Sequence, residues 1–516
     1  MLRSIRAPLR VNPRWIRWQS TGQVPSAEGP PDTIAIVPPV HILTKTEHYE
    51  KDYKQSLVSH LQSRNLVESI TSDDLYKLTE PNSKKLKLYC GADPTAKSLH
   101  LGNLLPLMVL LHFRLRGHDI FGLVGGATGA VGDPSGRTSE RSEMEVEERI
   151  DNVKVIQDQM ASFFANGLKY AQSRQLPSST STQDLGAFTS VNNADWWSSV
   201  NLLDFLATYG KHIRISQMLA RDSILSRLNS QQGLGFNEFT YQILQAYDFW
   251  HLFKTSGVNV QVGGNDQWGN ITAGTDLISR VQKQFGEGKA SDMPSYGMTV
   301  PLLLTPNGQK FGKSAGNAIF ISESMSSPFQ LYQFFINCQD EMVDKLLRMF
   351  TLLPLDSIES IVMTKHLEDP GLRIAQRVLA REVVDLIHGP GVGDEMAYIT
   401  SFLFPTPDQP FDDEISADKL LHKFRKSGIL LKISLSSFKQ PSEVKMSALL
   451  AKIMGKSRNE TKNLIKAGGI YLGIERDQFD DPEDVVLFDR ENHLIDGKLL
   501  LVRAGKQKYF LAEILD

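Results

Sequence analysis

The chain has 516 residues, of which 41% are apolar and 22% charged, with a formal net charge of -3. That length holds two to four domains at roughly 100–200 residues each, and the composition is that of a soluble globular protein with a full core. Two cysteines, Cys90 and Cys338, exclude a disulfide scaffold or a cysteine-rich zinc cage and fit a reduced compartment, while the small net charge excludes a polycation. Any nucleic acid must therefore be met by local basic patches.

Residues 1–20 carry Arg3, Arg6, Arg10, Arg14 and Arg17, and no acid occurs before Glu28. Arginine-rich, acid-poor sequence with apolar spacers has the composition of a mitochondrial transit peptide; a disordered basic tail shares it. Pro8 and Pro13 keep any helix there short. A linker rich in Pro, Ser and Gly follows to Pro39, so 1–35 is set aside as targeting segment and linker. No run of roughly 18 apolar residues occurs, so no transmembrane helix is expected.

His41 to Glu80 reads as amphipathic helix. Leu86 to Asp93 reads as a buried strand running into a loop, Leu104 to Arg116 as an apolar helix capped by Gly117, and Asp119 to Val124 as a second strand. Pro106 then falls in the first turns of its helix, where proline is tolerated. Strand, helix, strand at this spacing is a parallel α/β unit. The polar stretch 173–183 reads as a surface insertion, Asn237 to Phe253 as a strong helix, and Val258–Val262 and Pro301–Thr305 as short strands. From Pro328 to about Phe404 the pattern is helical. Residues 405–414 are a Pro- and Asp-rich linker, and about 416–516 form a separate small α+β unit.

Several loops carry polar groups at strand ends, where parallel sheets bind ligands. His100 and Asn103 stand where the first apolar helix begins, and free N–H groups at a helix start favour an anion. Gly102 lets a ligand lie close on the backbone; a helix cap with an incidental histidine fits the same four residues. Gly125 to Gly136 is glycine-rich but does not follow the dinucleotide fingerprint, and a long turn is its plain alternative. Tyr241, Gln245 and Asp248 share one helix face at i, i+4, i+7, which suits a small polar ligand as well as ordinary core packing. Asn265 or Asp266 opens a helix and serves equally as an N-cap. Lys310 and Lys313 flank Gly312 in a loop, as a clamp on phosphate or as an exposed basic turn. Gly312-Lys-Ser-Ala-Gly316 satisfies the hydrolase elbow pattern but lacks its strand and helix, and Asn307 breaks the P-loop pattern, so both are rejected.

In this order the loops resemble the class I aminoacyl-tRNA synthetases: His100-Leu-Gly-Asn103 is similar to the HIGH signature, and Lys310-Phe-Gly-Lys-Ser314 to the KMSKS loop. YCGADPTA, LVGGATGAVGDPSGR, LQAYDF and GGNDQWGNITAG resemble the bacterial type of tyrosyl-tRNA synthetase, from about His41 to the C-terminus. The resemblance implies a Rossmann-like parallel-sheet α/β catalytic domain over 36–327, a helical anticodon-binding domain over 328–414 and a ribosomal-protein-like α+β RNA-binding domain over 415–516. It implies activation of L-tyrosine with ATP to tyrosyl-adenylate and transfer to the 3′ end of tRNA(Tyr) for mitochondrial translation.

Carried over by position, the family pattern gives Tyr89 and Asp248 to the phenol hydroxyl. Tyr241, Gln245, Asp133 and Gln267 surround the ammonium group or position the carboxylate. Gly91, Asp93, Gly102 and Asp266 lie on adenosine, with Cys90 at its ribose. Thr95, His100, Asn103, Lys310 and Lys313 serve the phosphates, and Arg137 and Arg141 lie near pyrophosphate and the acceptor end. Asn103 replaces the second histidine of HIGH, and Phe311 and Gly312 replace Met and Ser of KMSKS; both lysines remain. The resemblance also implies ATP with Mg2+ as substrate, no tightly bound cofactor, no fixed metal site, a homodimer, no membrane association and a place in the mitochondrial matrix.

From Lys445 to Lys466 six basic residues face one acid, Glu460, and Ser457 with Glu460 reads as a capping box. Lysine runs are usually solvated faces, but the resemblance assigns Lys456, Arg458 and Lys462 to tRNA. Two rivals stay in view. Tryptophanyl-tRNA synthetase shares the motifs, though the pairing of Tyr89 with Asp248 argues against it. An RNA-binding or intron-splicing cofactor on a synthetase scaffold, as a second role, is the other.

Overall fold

The computed structural model describes residues 37–135, 144–177, 185–229, 233–285, 293–305, 308, 318–405, 415–479, 487–505 and 508–516. Residues 1–35, read as targeting segment and linker, Arg137 and Arg141, residues 178–183 of the polar stretch, the loop with Lys310 and Lys313, and residues 406–414, read as a linker, lie outside the described residues. The chain divides into two compact units, one ending at Ala397 and the other Tyr398–Asp516. Residues 328–397 thus pack in one unit with the sheet described next.

The first unit is built on β1 (Ser69–Ile70), β2 (Lys87–Ala92), β3 (Asp119–Val124), β4 (Phe188–Asn192), β5 (Val260–Gly264) and β6 (Tyr296–Val300), in the order β1-β6-β5-β2-β3-β4. All pairings among β2 to β6 are parallel; only β1 runs against β6. Helices cover both faces, so the central strands are apolar almost throughout: every residue of β6 is buried. Between β2 and its neighbours β3 and β5 the strand order reverses, which opens a crevice at the carboxyl ends.

The helices that frame this crevice are α1 (Leu101–Leu115), α2 (Val146–Ser173), α3 (Ala194–Trp197), α4 (Leu202–Thr208), α5 (Ile215–Leu219), α6 (Asp222–Leu228), α7 (Phe236–Ser256) and α8 (Trp268–Phe285). α1 is buried around most of its circumference because nearly every position is apolar. It starts at Leu101, three residues before the expected start, so Pro106 is its sixth residue and not part of the first turn. Proline there removes the N–H that would bond the Gly102 carbonyl.

Three further sequence expectations shift. His41–Glu80 is several short helices and β1, not one amphipathic run. The strand expected at Pro301–Thr305 lies at Tyr296–Val300. β4, a half-exposed edge strand, was not expected at all.

α9 (Pro328–Ile336), α10 (Asp340–Phe350) and α11 (Ile374–His388) complete this unit. α11 is tied to α2 by a buried ionic cluster. Arg174, at the end of α2, donates Nε to Glu382 Oε2 at 2.9 Å and Nη2 to Asp385 Oδ2 at 2.7 Å. Tyr170 Oη and Arg381 Nε donate to the same Glu382, at 2.6 and 3.1 Å. Burial alone would raise the Glu382 carboxyl, but Arg174 and Arg381 hold it below its ordinary value.

In the second unit α12 (Ala417–Phe424), α13 (Met446–Met454) and α14 (Arg458–Lys466) accompany a sheet of β7 (Leu430–Ser434), β8 (Ile470–Leu472), β9 (Asp477–Phe479), β10 (Leu499–Ala504) and β11 (Lys508–Leu515), ordered β7-β11-β10-β8-β9. Its core joins Leu449, Leu450 and Ile453 of α13 to Leu500, Val502, Ala512 and Ile514. The Ser457–Glu460 capping box forms as the sequence indicates.

Removing one partner of a buried ion cluster leaves uncompensated charge. We expect Glu382→Ala, which strands Arg381 and leaves Arg174 with Asp385 alone, to cost about 3–5 kcal/mol in the urea unfolding of the sheet-bearing unit. A cost below about 1 kcal/mol would show that the cluster does not hold α2 to α11.

Candidate active site

Four loops that leave the carboxyl ends of β2, β3, β5 and β6 converge with α1 and α7 on one cavity of about 330 Å³, within the roughly 300–1,000 Å³ usual for small-ligand sites. Tyr89, Cys90, Gly91, Asp93, Thr95, His100, Gly102 and Asn103 line it from β2 and the start of α1. Asp133 enters from the loop after β3, Tyr241, Gln245 and Asp248 from α7, and Asp266 and Gln267 from the turn after β5. The sequence-derived residues of the catalytic, tyrosine and ATP groups that fall within the described residues are all brought together here.

At one end lies the start of α1. His100 is its N-cap: Nδ1 accepts from the Gly102 N–H at 3.0 Å, and Asn103 Oδ1 accepts from the His100 N–H at 3.1 Å. Because Nδ1 accepts, a neutral ring carries its proton on Nε2, a donor suited to a phosphate oxygen at a helix N-terminus. Backbone pairing of Leu101 with Ile319 and of Ile321 with Leu99 fastens the chain leaving the lysine loop beside this turn. Lys310 and Lys313 lie outside the described residues, but both ends of their loop border the cavity: Leu302 and Leu303 line it, and Phe320 bridges to His100.

The middle of the cavity is acidic. Asp93 accepts from Tyr241 Oη at 2.9 Å and from Thr128 Oγ1 at 3.2 Å. Asp133 accepts from Gln267 Nε2 at 2.7 Å and from the Ser135 N–H at 3.0 Å. Asn270 Nδ2 donates to the amide oxygens of both Gln245 and Gln267, at 3.0 and 3.1 Å, and so sets how those side chains face the cavity. Gly125 is required by close approach, since a Cβ there would stand 2.2 Å from Asp93 Oδ1. Two carboxylates with a phenol and an amide suit a ligand ammonium group.

At the other end Tyr89 is 2% exposed, and its Oη is buried without a hydrogen-bond partner. Burial, then the nearby Asp248, pushes this hydroxyl well above its ordinary pKa, so it stays a neutral donor and acceptor. Asp248 is 3% exposed and receives three N–H groups: Asn193 Nδ2 at 2.9 Å, Trp196 Nε1 at 2.8 Å and Trp197 Nε1 at 2.7 Å. Burial still pushes its carboxyl up to about 7, against those donors. An orphaned hydroxyl beside a buried carboxylate is a receptor for a hydroxyl that both donates and accepts. Cys90 is pushed up to about 12 by burial and remains a thiol.

Sequence reading missed Thr128, Asn193, Trp196, Trp197, Gln261 and Asn270. Thr128 and Asn270 lie in quoted motifs but were given no role, and Gln261, inside the strand expected at Val258–Val262, lines the cavity from β5. The signal that could have found the tryptophans is the pair of adjacent indoles after Asn-Asn. Of the residues expected on RNA, Lys456 and Arg458 are exposed at the start of α14 and Lys462 is half-buried, all in the second unit. Among the described residues no three His, Cys, Asp or Glu side chains are grouped to hold a metal, and no helix is long and apolar enough to cross a membrane.

Residues 81–404 match the model of a family described as tRNA synthetases class I (W and Y). The mitochondrial tyrosine–tRNA ligase of Saccharomyces cerevisiae is 45% identical over 462 residues, 89% of this chain and 89% of that protein. The chloroplastic/mitochondrial tyrosine–tRNA ligase of Arabidopsis thaliana is 37% identical over 90% of this chain and 84% of its own. Among solved structures, a C-terminally truncated mitochondrial tyrosyl-tRNA synthetase of Aspergillus nidulans superposes with a TM-score of 0.61 at 35% identity, covering 71% of this chain and 99% of that one.

The raised carboxyl of Asp248 gives a signed expectation. Between its unfolded value of 3.8 and about 7 the native state holds the extra proton, so this group's contribution to stability falls as pH rises through that window. The ionised form accepts from a ligand hydroxyl more strongly than the protonated form does. Calorimetry should show tyrosine affinity dropping about tenfold from about pH 8 to about pH 6. Asp248→Asn should bind weakly at both and lose the slope; a flat wild-type profile would contradict the assignment.

Proposed function

This chain belongs to the class I tRNA synthetases, in their tyrosine–tRNA ligase branch, and from that premise we propose how its residues perform the two steps of the reaction. Tyrosine lies with its phenol between Tyr89 and Asp248 and its ammonium group among Asp133, Tyr241, Gln245 and Asp93, while Gln267 helps position its carboxylate; Asp93, given to adenosine by the family pattern, is moved here because it accepts from Tyr241 Oη. One carboxylate oxygen attacks the α-phosphorus of ATP in line; the bond to the bridging oxygen breaks, giving tyrosyl-adenylate and pyrophosphate. A terminal ribose hydroxyl of tRNA(Tyr) then attacks the acyl carbon, its proton is lost and AMP leaves. No side-chain nucleophile takes part. The work is positioning, and stabilisation of charge growing on the phosphates.

Gly91, Gly102 and Asp266 lie along the adenosine, with Cys90 at its ribose as a neutral thiol. His100 and Asn103 act at the start of α1, Thr95 at the rim, and Lys310 and Lys313 bind pyrophosphate, favouring the transition state over bound substrate. The nucleotide substrate is MgATP, with magnesium held by the phosphates. The single observation that carries this reading is the orphaned Tyr89 hydroxyl beside Asp248, because phenylalanine would leave that buried hydroxyl unpaired and give Asp248 no ligand donor.

Arg137 and Arg141 act near the acceptor end, and Lys456, Arg458 and Lys462 hold tRNA through phosphate contacts. The protein works in the mitochondrial matrix, a reading supported by the arginine-rich start and the mitochondrial relatives. It works as a homodimer. Support comes from an apolar surface gathered in one stretch of chain: Leu202, Leu203 and Leu206 of α4, Ile215 and Leu219 of α5, Leu225 and Leu228 of α6, and Phe236 at the start of α7. Phe236 is 79% and Leu203 74% exposed in the single chain.

Amino-acid-dependent ATP–pyrophosphate exchange tests the first step: tyrosine should support it, and phenylalanine and tryptophan should not. Asp248→Ala should lower kcat/KM for tyrosine by about a hundredfold; exchange with none of the three would sink the enzyme reading. Sedimentation of a Leu203→Asp, Phe236→Asp double variant should show monomer where the parent is a dimer, and an unchanged dimer would remove this face as the interface.

A further inference from the structure

Asp248 is held in a way that tyrosine recognition alone does not require. Two consecutive residues of α3, Trp196 and Trp197, donate their indole N–H groups to one atom, Asp248 Oδ1, at 2.8 and 2.7 Å. Neighbouring residues of a helix point roughly 100° apart, so the two rings reach that oxygen from different sides. Each is held by its own contacts. Trp196 is buried and stacks on His251 at 4.5 Å. Trp197 is half-buried, with its ring 5.4 Å from Phe205 of α4 and 4.8 Å from Tyr247 of α7.

The other oxygen, Oδ2, accepts from Asn193 Nδ2 at 2.9 Å. That amide cannot turn over: its oxygen accepts from the Ala127 N–H at 2.8 Å, and its second hydrogen goes to Thr128 Oγ1 at 2.8 Å. A carboxylate offers about four lone-pair directions. Two indoles fill those of Oδ1, and Asn193 takes one on Oδ2. One direction is left, on Oδ2.

We infer that Trp197 is a positioning residue for amino-acid selection: its indole N–H closes the last free site on Asp248 Oδ1 and leaves Oδ2 as the one oxygen of Asp248 open to the substrate hydroxyl. The inference rests on the proposed tyrosine pocket and adds the group that orients its carboxylate. Without this N–H, Oδ1 regains an open lone pair, the carboxylate can turn, and its charge loses a donor in a buried place. Trp196 shares the oxygen but also fills the core, so Trp197 is where the two contributions separate. The groups that bear on Asp248 from surrounding elements are Asp93 after β2, Tyr89 on β2, and Tyr241 and Tyr247 on α7. His251, against Trp196, is pushed below its ordinary value by burial and Lys254.

The test is Trp197→Phe in the full chain, which keeps a ring and removes the N–H. ATP–pyrophosphate exchange is measured with tyrosine and with phenylalanine across pH. We expect KM for tyrosine to rise about tenfold with little change in kcat, the tyrosine-to-phenylalanine ratio of kcat/KM to fall about tenfold, and the acid limb to move up by about one pH unit. A plain packing role would move none of the last two. A variant that melts with the parent and keeps both the ratio and the limb overturns the inference, while the parent's own tyrosine-dependent exchange continues to stand for the pocket. If the variant fails to fold, the parent supplies the reading. The chain holds six tryptophans, and with 15N-labelled indoles two resonances should titrate together with Asp248 and move on adding tyrosine but not phenylalanine. A single such resonance would overturn the role given to Trp197.

Discussion

Parallel strands all finish on the same edge of their sheet, and everything this protein can do to a small molecule follows from that constraint. Right-handed crossovers place helices on the faces and return each strand to the same side. β2 stands at the centre, with β3 and β4 to one side and β5 and β6 to the other. The loops that leave β2, β3, β5 and β6 line the crevice over β2, and the turn after β4 reaches it through its hydrogen bonds to Asp248. Residues as distant in sequence as Tyr89, Asp133 and Gln267 therefore meet in one cavity, which His100 and Asn103 border from the start of α1.

Within that crevice polarity changes along its length. The α1 end offers donors to anionic phosphates. The middle offers carboxylates to a cation, and the far end offers one hydroxyl and one carboxylate amid aromatic rings. A ligand with a phenol at one end, a charged ammonium group and a carboxylate facing a phosphate matches this gradient in one orientation only. The buried carboxylate is the expensive part. A charge taken out of water is tolerated when its lone pairs are met, and at Asp248 a turn of five residues, Asn193 to Trp197, supplies all three donors.

Much of this was legible in the chain itself. The strand–loop–helix at Tyr89 to Asn103, the glycine-rich loop after β3 and the stripe Tyr241, Gln245, Asp248 announce themselves through apolar runs and helical spacing. β4 did not, because Phe188–Asn192 is a half-exposed edge strand with no apolar run to mark it, and the Asn193–Trp197 turn follows from it. The strand at Tyr296–Val300 was displaced in the reading because Pro301-Leu-Leu-Leu is the more apolar run, although Tyr296–Val300 is the stretch that pairs. The exposed apolar face between Leu202 and Phe236 was also hidden, since sequence cannot tell an outward leucine from an inward one on short helices.

The amide of Asn193 has a consequence for how such a pocket changes over generations. It ties Asp248 to Thr128, and through it to Asp93, which also holds Tyr241. Replacing Asp248 alone with an apolar residue strands three N–H groups, each at a cost of about 1–3 kcal/mol. Replacing any donor alone leaves the carboxylate underserved. Drift by single steps toward an amino acid without the hydroxyl is thus opposed at every first move. A lineage that altered its preferred substrate would need linked changes at 193, 196, 197 and 248, so the hydrogen-bonded frame makes the choice of substrate historically sticky.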